Sequence, residues 1–179
     1  MPLNPKLAYR IRLMAICAFG VQLGACAEGK DSTPTAASTA LLGSWSCSMI
    51  KIDDGMATQL DSDTTYLADN TWETNALGSA ELTTQGDIVR WKVVASGIYS
   101  LDGMMLSETP TLIEARSLPS EKSGNIPKDV LDEIVRDLVN GINENARDTS
   151  QSDVLMLTSQ TLKTRTVKDG AIFDCARRS

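Results

Sequence analysis

The chain from about residue 41 onward predicts a mainly β fold, an antiparallel meander with one amphipathic helix inserted before the last strands. Three observations carry this. Apolar and polar residues alternate with period two through most of residues 44 to 117, the pattern of strands with one wet face and one core face. Turn dipeptides interrupt the alternation at short intervals: Asp69-Asn70, Gln85-Gly86, Asp102-Gly103 and Asp169-Gly170. The last three carry a Gly free to adopt positive φ. A single segment, residues 127 to 147, changes to helical spacing.

The elements follow in order. The first strand, near 44 to 52, sets Trp45, Cys47 and Met49 toward the interior and Ser44, Ser46 and Ser48 toward solvent, because successive side chains point to opposite faces. A second strand near 57 to 67 points Thr58, Leu60, Thr64 and Tyr66 inward. In the third, near 71 to 83, Trp72, Thr74, Ala76, Ala80 and Leu82 share one face against Glu73, Asn75, Ser79 and Glu81. The fourth, near 87 to 101, alternates Val89, Trp91, Val93, Ala95, Tyr99 and Leu101 against Arg90, Lys92, Ser96 and Ser100. Further strands are expected near 104 to 117, 152 to 166 and 171 to 176, seven in all. Between them, Val130, Leu131, Ile134, Val135, Leu138, Val139 and Ile142 form a stripe opposite Asp129, Asp132, Glu133, Arg136 and Asp137, an amphipathic helix. Pro127 suits its first turn, and Asp129, Asp132 and Glu133 place negative charge near the positive end of its dipole. The expected role of this helix is to pack on the flank or end of the β domain.

The N-terminal part reads differently. Lys6, Arg10 and Arg12 precede an apolar stretch from Leu13 to Ala25 that is too short for the ~20 residues a spanning helix needs, and basic-then-apolar order is that of an export signal. Leu23-Gly24-Ala25-Cys26 closes the stretch and resembles the lipobox of bacterial lipoproteins. The resemblance implies a signal peptide over residues 1 to 25, lipid on the Cys26 sulfur, cleavage before Cys26 and acylation of the new amine, with palmitate among the chains. Each buried methylene contributes about 0.8 kcal/mol, so two or three chains hold the protein permanently where one does so only reversibly. Such lipoproteins tend to stay in the inner membrane when Asp follows the lipidated Cys. Here Ala27 follows, which implies an outer-membrane anchor facing the periplasm or the cell surface. Residues 26 to 40, small and polar, read as lipidated Cys and flexible tether, leaving one domain over residues 41 to 179.

Loss of the signal removes three basic residues and no acidic ones, leaving 14 basic against 23 acidic, a net charge of −9. That balance disfavours nucleic acid and anionic headgroups, which are bound by Lys and Arg. The membrane partner is then reached through the lipid on Cys26. Cys17 departs with the signal and Cys26 is consumed by lipid, leaving Cys47 and Cys175, two thiols that in an oxidising compartment form a disulfide.

Catalytic and metal chemistry find little support. The chain contains no His, the commonest general base, and no G-x-S-x-G, P-loop or H-E-x-x-H. Asp53-Asp54 and Asp61 with Asp63 lack the spacing of an EF-hand and read as solvated turn charges. No enzyme, cofactor or metal is expected.

Leu42-Gly43-Ser44-Trp45 opens the meander as the G-x-W signature opens the first strand of lipocalins. The domain resembles a lipocalin-like (calycin) β-barrel of seven to eight strands. The resemblance implies that Trp45 packs at the closed end of the barrel, with Arg165 or Arg177 over it in a cation–π contact. It also implies an interior wide enough to be filled by side chains or to hold one small molecule. Tyr66, Trp72 and Trp91 are the ligand-contact candidates. Two readings stand at this point: a lipid-anchored barrel that binds or carries a small hydrophobic ligand, and a structural or interaction lipoprotein with a solid barrel that docks, through the helix at 127 to 147, on another envelope protein.

Overall fold

A computed structural model describes residues 36–53, 56–82, 86–121, 126–145 and 148–179. The expected export signal, Cys26 and most of the expected tether lie outside these residues. After a short helix α1 (Ala36–Leu41), the chain forms strands β1 (Gly43–Asp53), β2 (Met56–Tyr66), β3 (Thr71–Leu82), β4 (Asp87–Asp102) and β5 (Met105–Glu121). Helix α2 (Lys128–Asn145) follows, then β6 (Ser150–Leu157), β7 (Thr161–Thr166) and β8 (Ile172–Arg177). Every strand pairs antiparallel with the next, and β8 returns to β1 to close an eight-stranded meander barrel. The helix stands before the last strands as expected.

Two expectations are corrected. Strand count is eight, because the run read as one strand over 152 to 166 is the hairpin β6–β7. Its turn contains no Gly or Pro. Instead the Thr158 hydroxyl accepts the amides of Gln160 and Thr161 at 3.2 and 2.9 Å, a side-chain turn that leaves no strong mark in the sequence. A register shift between Val154 and Met156 further blurs the period. Residues 36–40, read as part of the tether, belong to α1, which rests on β6.

The predicted faces otherwise stand. Trp45, Cys47, Tyr66, Trp72, Ala76, Ala80, Val89, Trp91, Ala95 and Tyr99 are all buried. Gly86, Gly103 and Gly170 take positive φ in their turns, as does Asn70.

The wall of the barrel is uneven, which decides where α2 goes. β4 and β5 run 16 and 17 residues, whereas β7 and β8 run 6 each. β5 pairs with β6 over Met105–Glu108, and among the described residues the rest of its edge has no strand partner on that side. α2 occupies this gap. Leu131, Val135 and Val139 bury their side chains against Ala80, Val89 and Trp91, covering the inner face of the tall strands. The Asn143 amide meets the free edge as a strand does: Ala115 N donates to its Oδ1 at 2.9 Å and its Nδ2 donates to Ala115 O at 3.2 Å. An edge that would otherwise invite pairing with another chain is thereby occupied.

Candidate ligand-binding site in the barrel interior

The floor of the barrel is built first. Trp45 is fully buried and donates its indole N–H to Leu41 O at 2.8 Å. The Arg177 guanidinium lies 4.2 Å from its ring centroid. Arg177 also donates to the carbonyls of Ala40, Leu42 and Ser159, each at 2.6 Å. One side chain thus fastens α1, the start of β1 and the β6–β7 turn to the last strand. Gly43, at φ 111°, lies where the guanidinium passes, so that any Cβ would strike it. Arg177 takes the place the family resemblance offered to Arg165 or Arg177. Arg165 sits on the outer wall, paired with Asp153 at 2.6 Å.

Above Trp45, Cys47 and Cys175 face each other across the β1–β8 ladder with Cα atoms 3.9 Å apart and sulfurs at bonding distance. Tyr66 and Tyr99 meet edge to face with centroids 5.1 Å apart. Each polar tip has a partner: Tyr99 Oη donates to Leu67 O at 3.0 Å, and Trp72 Nε1 donates to Ile98 O at 3.1 Å.

Tyr66 Oη donates to Glu108 Oε1 at 2.8 Å. Glu108 is the residue that sequence reasoning missed. It stands opposite Tyr99 in the β4–β5 register and shares the parity of buried Leu106, a signal present in Leu106-Ser107-Glu108 but outweighed by the expectation that carboxylates face water. Burial raises its pKa, and the Tyr66 hydrogen bond opposes that rise. The Tyr66 hydroxyl is itself pushed well above the usual phenol range, by burial first and then by the Glu108 charge.

The interior divides the three ligand-contact candidates. Tyr66 and Trp72 belong to the floor cluster with Tyr99 and Leu106. Trp91 belongs to the second cluster, beneath α2, its indole lying across Gly78 so closely that a Cβ there would fall on the ring. Opposite α2, the inward positions Met49, Thr58 and Leu60, with Phe173 on β8, are only half-buried. Lys51, at the same parity, reaches Asp169 in the β7–β8 turn at 3.1 Å.

Two open depressions of about 580 and 560 Å³ lie on the outer wall, lined by outward residues such as Ser46, Asp61 and Asp174, and Asp63, Asn75 and Lys92. Asp61 accepts from Gln59 at 2.7 Å and Asp63 pairs with Arg178 at 2.7 Å. Compared with known proteins, the chain matches no family model and no curated sequence.

Proposed function

We propose that this protein is a lipid-anchored envelope lipoprotein, held by acyl chains on Cys26, whose lipocalin-like barrel takes one small apolar molecule into its interior without catalysing its conversion. The observation carrying the ligand reading is the half-buried inner wall of Met49, Thr58, Leu60 and Phe173 above a packed floor. A mixed apolar and hydroxyl lining of this kind suits a small molecule. Tyr66 and Glu108 offer a polar anchor for a hydrogen-bonding head. The competing reading needs an apolar helix stripe free for docking, and the α2 stripe is spent on the core, with Leu131, Val135 and Val139 buried. The Cys47–Cys175 disulfide suits an exported barrel, since it joins the first strand to the last.

The test is native mass spectrometry of the full chain extracted gently from membranes. A bound mass beyond the acylated polypeptide is expected, released on unfolding, and absent from Leu60→Trp, which fills the inner wall. No bound mass in the wild type overturns the ligand reading.

A further inference from the structure

A polar band crosses the inner wall of the barrel. Glu108 on β5, Ser152 on β6 and Thr164 on β7 share the inward parity. Ser152 pairs with Leu106 on one side and Thr166 on the other, which makes it the diagonal neighbour of both Glu108 and Thr164 on that face. Ser152 and Thr164 are 5% and 7% exposed, and among the described residues neither hydroxyl has a hydrogen-bond partner. Buried polar groups in folded proteins are ordinarily paired, so two unpaired hydroxyls side by side point to a ligand. Glu108 accepts from Tyr66 at Oε1, and among the described residues no Lys or Arg pairs with it. Phe173 stands opposite Thr164, and the half-buried Met49, Thr58 and Leu60 follow on β1 and β2. From this geometry we infer that the barrel selects a small primary amine, with its ammonium head on Glu108, Ser152 and Thr164 and its apolar tail along Phe173, Met49 and Leu60. The inference rests on the ligand reading given above and names the class of ligand.

The head group follows from the donors and acceptors present. A primary ammonium carries three N–H donors and no acceptor, which matches the second oxygen of Glu108 and the two hydroxyl oxygens. A carboxylate or phosphate head would set like charge beside Glu108, and an alcohol would leave the buried carboxylate without a countercharge. The inward-facing cations among the described residues are engaged elsewhere: Arg177 with three carbonyls, and Lys51 with Asp169 at the rim. The whole chain has a net charge of −6, a field that draws cations rather than anions to the mouth. Burial holds the Glu108 pKa above its ordinary value, and an ammonium within hydrogen-bond reach brings it back down by favouring the charged carboxylate.

Titration calorimetry with octylamine, octanol and octanoate, which share one tail, tests the head group. The full chain carries Cys26→Ser so that no acyl chain takes up the probes. Octylamine is expected to bind about tenfold tighter than octanol, the gain of a charge-assisted hydrogen bond over a neutral one, with octanoate weakest. In Glu108→Gln the preference for octylamine over octanol is expected to vanish, and in Ser152→Ala to fall about threefold, with circular dichroism confirming that each variant is folded. If Glu108→Gln does not fold, Ser152→Ala and the three-probe comparison decide the matter. Octanol bound as tightly as octylamine overturns the amine inference and leaves the ligand reading standing. An octylamine preference that survives Glu108→Gln in full belongs to the acidic surface and also overturns it. Binding of none of the three overturns the inference, and if the native mass spectrum also shows no bound mass the ligand reading falls with it.

Discussion

The two ends of the barrel are finished by different means. At the closed end the chain is fastened by specific polar bonds: Arg177 to three carbonyls and the Trp45 face, the Trp45 indole to Leu41 O, and the Cys47–Cys175 pair just above. At the other end the finish is apolar packing, with α2 laid against β4 and β5 through Leu131, Val135 and Val139. The first arrangement fixes one geometry, because planar guanidinium bonding and a buried indole tolerate little displacement. The second covers one side of the interior and leaves the β1–β2 side half-exposed. A barrel with a rigid floor and a partly covered mouth follows from that division.

The comparison breaks most directly at the cysteines. Separated by 128 residues, they close a loop for which the chain-entropy account gives about 5 kcal/mol. Cys47→Ala with Cys175→Ala is expected to lower chemical-denaturation stability by up to that amount, and two alkylatable thiols in the exported, non-reduced wild type would show that no bond forms. Next comes Trp45→Ala, expected to cost about 3 to 5 kcal/mol as other large core deletions do. Retained wild-type stability with loss of ligand alone would make Trp45 a pocket residue and break the contrast between the ends.

At the open end, Leu131→Ala removes a fully buried side chain. Loss of about 2 to 3 kcal/mol is expected, with a change in Trp91 fluorescence. A variant as destabilised as Trp45→Ala would mean that the two ends are equally fixed.

The smallest effect sharpens the account of the floor. The folded pKa of Glu108 lies above its ordinary value because burial disfavours the charge, so the folded state binds the proton more readily than the unfolded chain. Its contribution is then fully present below the ordinary carboxyl value and is lost as pH rises through the folded pKa. Glu108→Gln, which cannot ionise, should flatten this part of the profile: the wild type should gain melting temperature relative to the variant on acidification from pH 7 toward 4.5. Parallel profiles would remove Glu108 from the interior.

Much of this was written in the sequence because its signals are local. Period-two alternation in β1 to β4 assigned Trp45, Tyr66, Trp72, Trp91 and Tyr99 to the interior, since adjacent side chains on a strand must oppose each other. Helical spacing alone marked α2. Gly in the turns announced the hairpins at Gly86, Gly103 and Gly170. Cys47 and Cys175, which the structure brings to bonding distance, could likewise be singled out as a pair from the sequence.

Tertiary structure alone decided the rest. The β6–β7 turn escaped because its bonds come from the Thr158 hydroxyl, a residue common inside strands. Arg177 rather than Arg165 met Trp45 because pairing of β1 with β8 places Trp45 opposite Arg177, a contact across more than 130 residues that no local pattern encodes. Trp91 was separated from Tyr66 and Trp72 because β5 outgrows β6, and the gap this leaves draws α2 over the upper strands. Glu108 faced inward because its strand parity prevailed over its polarity, with Tyr66 close enough to satisfy it. In each case strand register, set by closure of the whole sheet, brought together residues whose individual preferences did not name their partners.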